Sequence, residues 1–252
     1  MTGRRIRGVS RRYSSESLNP NLLGGIGLTR LRVYEQRTAP DGVQSGCAHV
    51  HACTGEGYYV VSGTGAIELH DAAHGFRSVP FAPGDYVQFP PDTLHRSVST
   101  DALEVLAIMG NAGLAEHGDA RIYFGAEIDA QPEEFARLVA LTKTRGLAGA
   151  LERRDASVRA YMRLLALWAN DREAYFAELA RFIACHHRAI AGRRAEFESI
   201  VREGPGRWVE RGLERIRGAA SAESPLKAAP AQAEQLLGMC GMLEPVQATS
   251  DA

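Results

Sequence analysis

The chain has 252 residues, 45% of them hydrophobic and 23% charged, the usage of a globular protein with room for one large domain or two modest ones. Its formal charge of −1 at pH 7 gives no whole-molecule field that would draw it to nucleic acid or an anionic membrane. No run approaches the roughly 18 consecutive apolar residues of a membrane-crossing helix, and the 4 cysteines include no Cys-x-x-Cys pair.

Taken in chain order, residues 1–19 open with Arg4, Arg5, Arg7, Arg11 and Arg12 and lack the apolar stretch of a secretory leader, so a solvated basic arm and a cytoplasmic protein are expected. Leu28–Glu35 alternates Leu31 and Val33 against Arg30, Arg32 and Tyr34, the period of a half-buried strand. Tyr58–Val61 and Ala66–His70 flank Gly63-Thr64-Gly65 and predict a hairpin. Further β-like runs are Ser78–Phe81, Tyr86–Phe89, His95–Ser99 and Leu103–Met109, with Pro83-Gly84-Asp85 and Pro90-Pro91-Asp92 as turns. Short strands at regular spacing predict an antiparallel sandwich or barrel over residues 20–125.

The period then changes. Val158, Tyr161, Met162, Leu165 and Ala169 recur at helical spacing, and Asn170 with Glu173 predicts a capping box for a following helix that carries Tyr175, Phe176, Leu179, Phe182, Ile183 and His186. A third helix is expected around Ala195–Val201, ending at Gly204-Pro205, and a fourth from Trp208 to Ile216. Residues 131–218 therefore read as a helical domain and 219–252 as an Ala/Pro-rich flexible tail, within which Gln235–Leu243 can form a short docking helix. Basic and acidic residues balance in this half and no helix-turn-helix is evident, which disfavours a nucleic-acid partner.

One constellation carries chemistry. His49 and His51, two apart on a strand, project to one face; Glu56 follows a short bend, and His95 arrives from a strand after the Pro-Pro turn. Three imidazoles and a carboxylate converging inside a barrel make a mixed nitrogen–oxygen site for a divalent transition metal, with open positions left for water, substrate or dioxygen. With Gly63, Gly84 and Pro90 in register, this pattern resembles the two motifs of the cupin superfamily over about residues 25–115. Val43 stands at the motif's leading glycine, Asp92 at its second-motif glycine and Ser99 at its asparagine; Asp tolerates the left-handed backbone such a turn needs.

The resemblance implies an α+β chain: an antiparallel β-barrel of the cupin, jelly-roll or double-stranded β-helix type, followed by an α-helical C-terminal domain. It implies one bound metal, Fe(II) favoured and Mn(II), Ni(II) or Zn(II) compatible, held by His49, His51, Glu56 and His95. The expected function is a non-haem iron dioxygenase acting on a small polar molecule, in a homodimer. The alternatives are an isomerase, epimerase or lyase using the metal as a Lewis acid, and a non-catalytic binding module. Tyr58, two after Glu56, is the candidate acid or base, and Arg30, Arg32, Tyr34, Gln88 and Ser97 are candidate substrate contacts. Cys47 shares the ligand face by alternation and reads as a small buried hydrophobe; Cys53 reads as incidental. His70, His74 and His117 are expected at the surface, while His186 and His187, adjacent on a helix, diverge too far to chelate together and are expected to pack.

Overall fold

The structure is a computed structural model that describes residues 22–140, 145–218 and 235–246. The expected basic arm, and the tail apart from 235–246, lie outside the described residues. The strands are β1 (Gly27–Val33), β2 (Gln44–Ser45), β3 (His49–His51), β4 (Glu56–Asp71), β5 (Gly75–Phe81), β6 (Tyr86–Phe89), β7 (Leu94–Met109), β8 (Ala120–Ile122), β9 (Leu236–Leu237) and β10 (Gly241–Pro245). The helices are α1 (Ala126–Asp129), α2 (Pro132–Val139), α3 (Gly146–Asn170), α4 (Arg172–Ile190), α5 (Arg194–Val201) and α6 (Arg207–Ile216). All strand pairings are antiparallel, and the central path runs β5-β4-β7-β1-β10-β9, with β2 and β3 also on β7, β6 on β4 and β8 on β3.

The strand periodicity gives the barrel two apolar faces. Leu31, Val33, Tyr58, Val60, Ile67, Leu69, Phe81, Phe89, Leu103, Val105 and Ala107 fill the interior. Residues one step out of phase, Ala48, Val50 and Leu94, turn the other way and pack with Tyr123 against Ala160, Tyr161 and Leu164 of α3 and Tyr175, Leu179 and Phe182 of α4. The helices thus share a core with the barrel wall. Ser157 of α3 reinforces this contact: its Oγ accepts the Ala48 N–H at 3.1 Å beside the first ligand strand. Arg154, fully buried, donates to the carbonyls of Ser45 and Arg37 at 3.2 and 2.8 Å and to Asp155 at 2.6 Å.

Four expectations need correction. The chain does not reverse at Gly63: β4 runs unbroken through it and pairs with β7 from Glu56↔Met109 to His70↔Leu94, with register shifts between Val60 and Gly65. A Cβ at Gly63 would sit 2.2 Å from the Asp101 carbonyl, so the glycine serves a close strand crossing at an irregularity, not a turn. The cap of α4 is Asp171, whose carboxylate accepts the Ala174 N–H at 3.0 Å, one residue after Asn170. His70 is fully buried, between Tyr161 and Tyr175 at 2.7 and 2.8 Å. Finally, residues 235–246 form no helix; β9 and β10 make a hairpin whose second strand pairs with β1, from Thr29↔Pro245 to Val33↔Gly241.

Candidate metal centre

The four motif residues meet inside the barrel. His49 and His95 are direct cross-strand partners of β3 and β7, His51 lies two residues along β3, and Glu56 opens β4 beside Phe89 and Met109. Each offers a ligand atom such that all four atoms lie within 4.8 Å of one another, and all four residues are buried. Nε2 of His95 and of His51 stand 3.0 and 3.5 Å from Glu56 Oε2.

The second nitrogens of His49 and His95 are committed elsewhere. His49 Nδ1–H donates to the Cys47 carbonyl at 3.1 Å and His95 Nδ1–H to the Thr93 carbonyl at 3.0 Å, which fixes the tautomer and aims both Nε2 lone pairs inward. His51 Nδ1 faces the Asp119 carboxylate at 3.5 Å. Glu56 Oε2 and His95 Nε2 are buried with no hydrogen-bond partner among the described residues, the condition a shared cation would relieve. This buried His/Glu cluster fits a divalent transition metal in both donor type and orientation.

The electrostatics agree. Burial, with His95 and His51 alongside, holds the His49 pKa well below its ordinary value, so its lone pair is free. Burial opposes charge on His51, but Asp119 and Glu56 outweigh it and raise its pKa. For Glu56 burial is likewise outweighed, by His95 and His51, and the carboxyl lies below its usual range.

Asp119 carries no sequence motif, only a lone acid after Gly118. It is fully buried, and its Oδ1 accepts the Cys53 N–H at 2.7 Å, tying the His51–Glu56 bend to the strap before β8. His186 of α4 in turn holds the Asp119 carbonyl through Nε2 at 2.6 Å, so its packing role includes fixing this loop. His187 turns to the Asp92 carboxylate at 2.8 Å, and Asp92 adopts the left-handed backbone, φ 61°, that its place in the motif requires.

The other candidates separate. Tyr58 is fully buried on the interior face, its ring 6.4 Å from that of His95, and its hydroxyl donates to Cys240 Sγ at 3.9 Å. Burial, with Cys240 and Glu56 adding to it, raises the Tyr58 pKa well above the ordinary value, so it is a neutral phenol at neutral pH. Ser97 is buried on the His95 face with its Oγ unpartnered among the described residues. Arg30 and Arg32 do not line the interior: they face outward and share Glu104 at 2.5 and 2.7 Å, because Leu31 and Val33 take the inner phase. Tyr34 packs against Ala150 and Leu151 of α3 and donates to the Gly238 carbonyl at 2.8 Å. Gln88 is exposed and accepts from Tyr86 at 3.0 Å. Cys47 is buried among Ile122, Phe124 and Leu138, and His74 is exposed, both as expected; His117 is half-buried and reaches the Gly113 carbonyl at 2.7 Å.

Residues 34–109 match the family described as Cupin domain. This stretch is a cupin domain. It carries β2–β7 and all four clustered residues. Among solved structures, the chain is similar to a protein from Acidithiobacillus ferrooxidans assigned as a sugar phosphate isomerase (26% identity over 33% of this chain and 49% of that one, TM-score 0.26). It is similar also to an assigned oxalate decarboxylase from Thermotoga maritima (24% identity, 32% of this chain, 63% of that one, TM-score 0.26). A TDP-fucose-3,4-ketoisomerase from Campylobacter jejuni matches at 6% identity over 33% of this chain and 58% of that one, with a TM-score of 0.28. The matches span less than two thirds of these chains, and at such TM-scores they carry no argument about reaction or substrate. No curated protein matches the sequence. Among the described residues, no helix is long and apolar enough to cross a membrane.

Proposed function

We propose that the cupin domain holds one divalent transition metal through His49, His51, Glu56 and His95 and works as a metalloenzyme on a small polar molecule. The observation that carries this reading is the convergence of three imidazoles and one carboxylate at a buried point of the barrel, with the outer nitrogens of His49 and His95 already committed to backbone carbonyls. A bound ion would supply a Lewis-acidic or redox-active centre with about two of six positions open to exogenous ligands. Fe(II) with oxygen-dependent oxidation is the proposed chemistry, in keeping with the resemblance to iron-using cupin dioxygenases; Mn(II), Ni(II) and Zn(II) suit the same donors. The chain itself contributes the Phe89 ring, 4.5 Å from that of His95, as an apolar wall, and the Ser97 hydroxyl as a polar contact.

Tyr58 favours a second reading. A buried phenol that keeps its proton at neutral pH, close to Glu56, is placed to serve as a general acid beside a polarised carbonyl, the arrangement an isomerase or lyase needs. Elemental analysis of anaerobically purified protein beside His95→Ala tests the metal reading. About one equivalent of transition metal is expected in the wild type and a loss of it in the variant. Iron, with oxygen consumption in a screen of small polar substrates, supports the oxidation; an iron-loaded protein that turns over a substrate without consuming oxygen moves the assignment to the acid–base reading. No metal in the wild type after reconstitution overturns both.

A further inference from the structure

We infer that the cleft between α5 and the barrel loops carrying Cys53 and Leu114 is a binding site for an organic anion, a molecule with an apolar, ring-sized body and a single carboxylate or sulfonate. The cleft encloses about 640 Å³, within the roughly 300–1,000 Å³ of small-molecule sites. None of the four clustered residues lines it, so the inference stands apart from the metal reading.

The chemistry of the cleft comes from one face of one helix. Arg194, Phe197, Glu198 and Val201 recur at three- and four-residue spacing, and Arg202 continues the row into the turn that follows. Phe197 and Val201, with Leu114 and Ile190 opposite, make an apolar floor, and an arginine stands at each end of the row. Among the described residues neither guanidinium has a hydrogen-bond or ion-pair partner, whereas the adjacent Arg193 holds Glu196 at 2.8 Å. Glu198 lies between the two arginines and pairs with neither, and His187 is taken by the Asp92 carboxylate at 2.8 Å. Two unmatched cations against one anion leave one positive charge, which a single carboxylate or sulfonate balances through charge-assisted hydrogen bonds. The cleft between α3 and α4 beside Tyr123 differs: there Glu178 accepts from Tyr123 and Arg181, and Arg181 also reaches Asp129, so its central charges are already matched.

The walls are fixed before any ligand arrives. The loop leading to β8 meets α5 and the turn before it at two glycines: a Cβ at Gly113 would lie 3.2 Å from Ile200 Cγ2, and one at Gly118 would lie 2.6 Å from Arg193 Nη1. On the facing side the Cys53 N–H is held by Asp119 at 2.7 Å and its carbonyl by Asn111 at 3.1 Å, while its thiol is exposed at the cleft. A preformed cleft spares a ligand the cost of ordering it, and the occupant lies against the bend that joins His51 to Glu56.

Anilinonaphthalene sulfonate and the uncharged N-phenylnaphthylamine share an aryl body and differ in the anion. The full chain is expected to bind about one equivalent of the sulfonate with enhanced fluorescence, and the uncharged probe about tenfold more weakly. The double variant Arg194→Ala/Arg202→Ala is expected to lose about tenfold in sulfonate affinity and to leave the uncharged probe unaffected. Val201→Trp, which fills the floor, weakens both. A check on the wild type alone uses the exposed thiol: saturating sulfonate is expected to slow labelling of Cys53 by N-ethylmaleimide, followed by peptide mass, and to leave Cys185 unaffected. Absence of sulfonate binding, equal affinity for the two probes, binding that survives Val201→Trp, or undiminished labelling of Cys53 overturns the site.

Discussion

A ligand imidazole is only as well aimed as the group behind its second nitrogen, and behind His51 that group is the Asp119 carboxylate, 3.5 Å from Nδ1. His49 and His95 use backbone carbonyls for the same purpose, so their orientation is insensitive to mutation, whereas that of His51 hangs on one side chain. Burial works against charge on Asp119, but His51, Thr54 and the Cys53 N–H outweigh it and keep the carboxyl below its ordinary pKa, so it faces His51 as an anion at neutral pH. Asp119→Asn keeps the shape and removes that charge. The variant is expected to fold and to bind its metal 10- to 100-fold more weakly, roughly the loss seen when such supporting groups are changed. Competition with a chelator measures this, and an unchanged affinity would mean that the bend alone, held through Cys53, positions His51.

At the scale of elements, the contact between β4 and the helices rests on one buried base. His70 stands between the hydroxyls of Tyr161 on α3 and Tyr175 on α4, where the Arg96 charge disfavours its protonation and Asp71 favours it. Burial first, then the Arg96 charge, pushes its pKa down to about 3. In the unfolded chain a histidine titrates near 6.5, so between these values the unfolded state binds the extra proton, and stability rises with pH. The contribution of neutral His70 is complete above about pH 6.5 and drains away as pH falls toward 3. Melting temperature measured from pH 7 to pH 4.5 should fall more steeply for the wild type than for His70→Gln; parallel curves would show that other groups govern acid sensitivity. No sequence feature foretells this role, because His70 looks like the polar end of a strand until helices some 90 residues later cover it. The same limit explains what else escaped the pattern. Alternation at Leu31, Val33 and the His49–His51 pair marks inward faces correctly, and the four clustered residues are legible because local spacing sets their phase. Long-range pairing is not local: β4 and β7 read as four short strands because the glycines and Ala102 at their crossing mimic turns. The β9–β10 hairpin reads as a helix because eight or nine mostly apolar residues carry no decisive period.

Over the whole molecule, the division into a strand-rich half and a helical half describes composition rather than cohesion. Ala48, Val50 and Leu94 flank the cluster residues His49, His51 and His95 in sequence, and their side chains form the floor on which α3 and α4 lie. His186 of α4 holds the loop bearing Asp119, and Arg153 of α3 holds the turn bearing Cys240. Removing the helices would expose that apolar floor and release both loops, so the outer face of the barrel and the helices depend on one shared core. Barrel and helices are therefore expected to unfold as one unit: loss of helical circular dichroism and the change in tyrosine and tryptophan fluorescence should share a single midpoint in denaturant. Leu164→Ala, a truncation in the fully buried seam, should lower stability by about 2–5 kcal/mol and move both probes together. Two separated transitions, with only the helical signal shifted by Leu164→Ala, would show instead that the barrel holds its site without the helices, and that their contacts to the Asp119 and Cys240 loops are dispensable to the metal centre.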